Sequence, residues 1–229
     1  MTLIVFLGTM ALAGLASLYV KSMFHRYNQV AASSGLTGAE AASEILRRNG
    51  IRDVTIQEHD ALLGDHYDPI NKRLVLSSGV FHGTSLSALG VAAHEAGHAL
   101  QHQAAYAPLH LRMMAVGATH FASQVVTWLP LLGIGSGFLR PSLGLAVMAV
   151  GWGIIMLFNL ITLPVEYDAS RRAKEMLARL GFVRTAEEGA GVAAVLNAAA
   201  LTYVAAFLTS LLWMLLYLLP LLTGSRSRD

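Results

Sequence analysis

Four stretches of this 229-residue chain contain no Asp, Glu, Lys or Arg and are mostly apolar: residues 2–20, 113–135, 142–163 and 201–222. Each is close to the ~20 residues a helix needs to cross a bilayer core of about 30 Å. In lipid, every backbone N–H and C=O must be satisfied within the segment, so such runs read as transmembrane helices. The chain as a whole is 13% charged, about half the usual share for a soluble domain. The expected class is a mainly α membrane protein with four transmembrane helices and a small α+β domain holding a short β-sheet.

The first run has no basic residue ahead of it, and Lys21 and Arg26 follow it. A cleaved signal peptide has the opposite order, so residues 1–20 read as an uncleaved anchor. Residues 21–112 are polar enough to fold outside the bilayer. Residues 164–200 form a second polar helical segment, and 223–229 a tail. With four crossings both termini share one side, and 21–112 and 164–200 share the other. Lys21, Arg26, Arg112, Arg171, Arg172 and Lys174 flank the membrane on the second side, against Arg140, Arg226 and Arg228 on the first. Positive residues accumulate in the cytoplasm, so the polar part is expected to face the cytoplasm from the inner (plasma) membrane.

Within 21–112, Thr37-Gly-Ala-Glu40 has capping-box spacing and predicts a helix that buries Ala41, Ile45 and Leu46 and stops at Asn49-Gly50. Val54-Thr-Ile56 is a strand candidate. Asp65-His66-Tyr67-Asp68-Pro69 reads as a turn. Lys72 to Ser77 is a second strand, extending as far as Phe81. A helix is predicted over 84–105, capped by Thr84 or Ser85. Later, Pro164 suits the start of a fresh helix or a kink. That helix should end at Gly181, and Thr185-Ala-Glu-Glu188 is a further capping box. A small-residue helix, 190–200, should lead into the last span. In the spans, His120, Gln124 and Thr127 read as groups facing other helices or a cavity, and Asn159 as a helix–helix hydrogen bond.

The helix at 84–105 contains His94-Glu95-Ala-Gly97-His98. Residues four apart share one helix face, so both imidazoles can turn to one metal ion with Glu95 beside them. That is the pattern of a zinc hydrolase in which the glutamate is the general base for a metal-activated water. The chain has no cysteine, so only His, Glu and Asp remain as metal ligands. A catalytic zinc takes three protein ligands. A third histidine ten residues after the first is excluded, because position 104 is Ala. His102 lies on the same straight helix and is poorly placed. The remaining pattern draws an acid from a later helix: Glu166 is the leading candidate and Asp168 its competitor. Asp168 or Ser170 is also a candidate to orient a ligand histidine from behind. Tyr67, His66 and His82 are candidate donors to a developing oxyanion. The net charge of +2 and the absence of a basic tract give no sign of nucleic-acid binding.

Several of these stretches together resemble one family. They are Thr37-Gly-Ala-Glu40, Asp65-His-Tyr-Asp-Pro69, His82-Gly-Thr-Ser85, Gly90 to Gln101 around the histidines, Leu163-Pro-Val-Glu166 and Ala199 to Ala206. The resemblance is to the YugP-like neutral zinc metallopeptidases, bacterial membrane proteins, and it covers almost the whole chain. It implies a zincin-like catalytic domain of gluzincin type, with His94, His98 and Glu166 holding one Zn2+ per chain and Glu95 as general base. The layout is more distantly similar to HtpX-like membrane proteases, which carry an aspartate four residues after the ligand glutamate, where this chain has Ser170. The implied activity is hydrolysis of peptide bonds in membrane or membrane-proximal proteins. The expected partners are a protein or peptide substrate and the lipid bilayer, with a homo-oligomer or a membrane regulator left open. Two other readings compete: a catalytically silent zinc-stabilised scaffold, and an intramembrane protease of the site-2 type, whose motif lies inside a span.

Overall fold

The structure is a computed structural model that describes residues 1–60, 64–134 and 140–224. Residues 135–139 of the link before Pro141, and Arg226 and Arg228 of the tail, lie outside the described residues. The chain forms two compact units. One comprises Met1–Ala16, Leu111–Leu163 and Thr202–Asp229; the other comprises Ser17–His110 and Pro164–Leu201.

Helix α1 runs Thr2–Asn28 and α2 runs Gly38–Arg48. The reciprocal box forms at the start of α2: the Glu40 N–H donates to Thr37 Oγ1 at 3.2 Å, and the Thr37 N–H donates to Glu40 Oε2 at 2.8 Å. Ala41, Ile45 and Leu46 are buried, and each buried large aliphatic side chain contributes about 1.5–3 kcal/mol. The helix ends at Asn49, with Gly50 at φ +75°, where a side chain would be strained.

Strands β1 (Thr55–His59), β2 (His66–Asp68) and β3 (Arg73–Ser77) form one sheet in the order β1-β3-β2. β1 pairs parallel to β3, with Ile56 opposite Leu74, and β2 pairs antiparallel, with Tyr67 also opposite Leu74. Two expectations are corrected here. Residues 66–68 are a strand, and the turn begins at Asp68, whose Oδ1 accepts from the N–H groups of Ile70 and Asn71. Asp65 accepts from the Ser77 N–H at 2.7 Å and Asp68 from the Arg73 guanidinium at 3.0 Å, so the two acids fasten both ends of the strand to β3. The second strand also stops at Ser77, and Ser78–Phe81 form a single-turn helix, α3, that buries Val80.

Helix α4 runs Leu86–Gln103. Its cap is Ser85, whose Oγ accepts from the Ala88 N–H at 3.1 Å. Ala88, Leu89, Ala92, Ala93 and Ala96 are fully buried. The alanines among them allow close approach of α2: a Cβ at Gly38 would lie 2.2 Å from Val80 O and 3.2 Å from Ala92 Cβ.

Helix α5 runs Ala107–Leu129 and passes into a π-helical turn, Pro130–Ile134. Helices α6, Pro141–Arg179, and α7, Ala186–Gly224, follow. Pro164 lies inside α6, which continues past it, so no fresh helix starts there. α6 ends before Gly181, at φ +70°. Segments 190–200 and 201–222 are likewise one helix, α7, which begins with the expected box: the Glu188 N–H donates to Thr185 Oγ1 at 3.2 Å. Glu188 also receives the Ser33 N–H at 2.6 Å, the Ser33 hydroxyl at 3.0 Å and the Arg184 N–H at 2.7 Å. One carboxylate thereby pins the segment after α1 to the start of α7.

Among the described residues, three helices are long and apolar enough to cross a membrane: Thr2–Asn28, Pro141–Arg179 and Ala186–Thr223. In the last two the charge-free stretches are 142–163 and 201–222, so Glu166 and Glu188 lie outside them. Four such helices were expected. Helix α5 falls short on composition because Arg112, His120 and Gln124 interrupt its apolar residues. Within the apolar unit Asn159 does bridge helices: its Nδ2 donates to Ala206 O at 3.2 Å and to Ser210 Oγ at 3.1 Å.

Candidate metal centre

The site is built from two helices of the polar unit. α4 supplies His94, Glu95 and His98, and α6 supplies Glu166, two residues past Pro164. The helices touch closely because residue 97 is glycine: a Cβ there would come 2.7 Å from the backbone O of Ala169. The two imidazole rings stand edge to face, 4.8 Å between centroids. Glu166 Oε2 lies 3.2 Å from His94 Nε2 and 3.7 Å from His98 Nε2. One ligand atom from each residue falls within 4.8 Å of the others, and among the described residues this is the group of acids and histidines able to hold a metal ion. Glu166 is 2% exposed and His98 9%.

Burial alone would raise the pKa of Glu166. Hydrogen bonds and charge from His94 and His98 outweigh it and hold the carboxyl well below its usual range. For His98, burial works against the charged form, while the hydrogen bond to Glu166 and the charges of Glu95 and Glu166 prevail and raise its pKa. The pocket therefore favours positive charge between these groups. Two nitrogens and a carboxylate oxygen suit zinc, and in this arrangement both Nε2 atoms face the carboxylate. The donor set fits the ion.

The far edges of both rings are engaged. Ser170 Oγ lies 3.1 Å from His94 Nδ1, and Gln101 Oε1 lies 3.0 Å from His98 Nδ1. Ser170 was singled out in the sequence, whereas Gln101 was not. The available signal was its spacing of three from His98, which puts both on one side of α4. Asp168 does not contact either ring. It accepts from Gln101 Nε2 at 3.0 Å and pairs with Arg172 at 2.6 Å and with Arg171. Those arginines are thus taken by Asp168 and not by Glu166. Glu95 is buried, 8% exposed, and its charge acts on His98.

The three oxyanion candidates are engaged elsewhere. His66 Nδ1 contacts Gly64 O at 2.5 Å, and His82 Nε2 lies 3.1 Å from Glu58 Oε1. Tyr67 Oη lies 2.9 Å from Nδ1 of His102, one turn beyond His98 on α4. Its phenol is pushed up to about 12 by burial and by the charges of Asp53 and Asp68, so it remains a neutral hydroxyl. These two side chains line a cavity of about 190 Å³ with Asp53, Lys72 and Gln103.

Comparison with known proteins gives two matches. Residues 2–222 match the family described as "Putative neutral zinc metallopeptidase". The chain is also similar to "Putative membrane protease YugP" of Bacillus subtilis (strain 168), 48% identical over 224 residues, which cover 94% of this chain and 96% of that protein. No solved structure matches.

Proposed function

From the premise that this chain belongs to the neutral zinc metallopeptidase family, we propose that it is an integral membrane zinc endopeptidase of gluzincin type, cleaving membrane or membrane-proximal proteins. The observation that carries this reading is the meeting of His94, His98 and Glu166 within 4.8 Å, beside Glu95. These three residues would hold one zinc ion per chain. The ion supplies Lewis-acid polarisation of a substrate carbonyl and a water of lowered pKa. Glu95 takes the proton at its carboxylate and returns it to the leaving amine. Ser170 and Gln101 hold the two rings with Nε2 directed at the site.

The fourth crossing is part of the proposal. His94 and Glu166 share one site, so the chain must leave and re-enter the same side of the bilayer between them. If α6 crosses once, α5 supplies the other crossing. Its 23 helical residues span roughly 34 Å at 1.5 Å per residue. Its apolar side chains are also uncovered, Met114 at 76% and Phe121 at 70% exposure. Both termini then lie outside the inner membrane and the metal centre in the cytoplasm, in keeping with the Lys/Arg distribution.

The test compares purified wild type with Glu95→Gln for zinc content and cleavage of an unfolded protein. Equal zinc with cleavage lost in the variant is expected. Equal cleavage in both overturns the enzyme reading, and zinc without cleavage in either marks a silent scaffold. Glu166→Ala should lose the zinc; full occupancy removes Glu166 from the ligand set. A C-terminal reporter that is active only in the cytoplasm, if it reads active, overturns the topology.

A further inference from the structure

Gln101 is fully buried, and its amide bonds both to a candidate ligand of α4 and to the segment of α6 carrying Glu166. Its Nε2 donates to Val165 O at 2.7 Å and to Asp168 Oδ2 at 3.0 Å. A backbone carbonyl and an ionised carboxylate can only accept. The NH2 end of the amide must therefore face α6, and Oε1 must face His98. Because Oε1 can only accept, the hydrogen of the 3.0 Å contact has to sit on His98 Nδ1. In the neutral ring, the form that can bind a metal, the other nitrogen, Nε2, is then the one with the lone pair.

We propose that Gln101 is a positioning residue for the metal centre: its amide sets the tautomer of His98 and, through Val165 and Asp168 on either side of Glu166, fixes the carboxylate ligand against the histidine. The proposal rests on the zinc-site reading above and deepens it. One side chain performs two tasks that are separate in a simple ligand–acceptor pair. Its orientation is itself enforced: Asp168 is held by Arg171 and Arg172, so the acceptor facing the NH2 group is charged and fixed. Leucine at 101 would remove both links and leave Val165 O without its side-chain donor. Glutamate would keep an acceptor for His98 and place a third acceptor against two others.

The test measures zinc affinity of the full-length chain in detergent by competition with a chromophoric chelator. Wild type, Gln101→Leu, Gln101→Glu, Asp168→Ala and the Gln101→Leu/Asp168→Ala double variant are compared, together with the unfolding temperature of each zinc-free chain. Removing a partner that orients a ligand costs roughly 10–100-fold in metal affinity, and that loss is expected for Gln101→Leu and Gln101→Glu. Asp168→Ala should lose less, because Val165 O remains. The double variant should bind zinc as Gln101→Leu does, since Asp168 acts through the amide. A merely structural amide would lower the unfolding temperature and leave the zinc affinity of the folded chain unchanged. Affinity within about twofold of wild type for either Gln101 variant overturns the proposal, as do additive losses in the double variant. If Gln101→Leu does not fold, Gln101→Glu and Asp168→Ala decide. Wild type that binds no zinc sinks the metal-centre reading itself, whereas tight wild-type binding with unchanged Gln101 variants sinks only the role of the amide.

Discussion

Ser170 Oγ sits 3.1 Å from Nδ1 of His94, one helical turn beyond Glu166 on the same helix that meets Nε2 of that ring at 3.2 Å. One face of α6 therefore reaches both nitrogens of one imidazole. For Nε2 to serve as a ligand, Nδ1 must carry the hydrogen, and the serine oxygen is placed to accept it. Ser170→Ala is expected to weaken zinc binding by about tenfold and to lower kcat/KM with it. Chelator competition and peptide cleavage measure both. Unchanged affinity would show that the hydroxyl only fills space.

Gly97→Ala tests the contact between the two ligand-bearing helices. The added Cβ would stand 2.7 Å from Ala169 O and 3.3 Å from its Cα, all backbone, so α4 and α6 must part. Overpacking of this kind costs about 1–3 kcal/mol. Both the unfolding temperature and the zinc affinity should fall. A variant that binds zinc normally would mean the helices can separate without moving Glu166 from the histidines.

Glu188 gives a pH dependence with a defined sign. Its carboxyl is lowered from 4.5 to about 2, by hydrogen bonds from the backbone of Arg184 and of Ser33 and from the Ser33 hydroxyl. A depressed folded-state pKa contributes stability that is complete above about 4.5 and disappears as pH falls towards 2. Glu188→Gln places an NH2 group among four donors, the N–H groups of Ser33, Arg184 and Thr185 and the Ser33 hydroxyl, and is expected to cost about 1–3 kcal/mol at pH 7. The difference in stability between wild type and variant should shrink as pH drops from 5 to 3. A difference that stays constant over that window would remove ionisation as the cause.

His66→Ala and His82→Ala are expected to leave kcat/KM within about twofold of wild type, because surface changes away from the chemistry have small effects. His66 is tied to Gly64, and His82, with 65% of its side chain exposed, pairs with Glu58. Steady-state cleavage of a peptide substrate measures this. A fall of a hundredfold or more in kcat for either would return it to the role of oxyanion donor.

Much of the site was legible because its signals are local. The four-residue spacing of His94 and His98 and the boxes at Thr37 and Thr185 depend only on helix geometry, and each occurs where its spacing places it. The sidedness argument for Glu166 rested on four spans, of which three are found among the described residues, while the meeting of Glu166 with the two histidines stands on its own geometry. What failed was register and pairing. Asp65 and Asp68 are turn formers by composition, yet their side chains fasten the two ends of a strand to β3. Pro164 looks like a boundary because it lacks an N–H, but loss of one backbone bond does not end a helix of 39 residues. Gln101 shares a helix face with His98, but an uncharged glutamine three residues after a histidine does not by itself point to a partner on another helix. Its meaning lies in Val165 and Asp168, more than sixty residues away.

At Nδ1, neither imidazole leans on a charged acceptor. A hydroxyl meets the first ring and an amide meets the second, so Glu166 brings the sole formal negative charge among the three. Carboxylate acceptors make ligand imidazoles more electron-rich; neutral ones leave more of a cation's charge unspent. A divalent ion held by these three ligands would keep a net positive charge, which makes the centre a strong electrophile that attracts carbonyl oxygens and small anions alike.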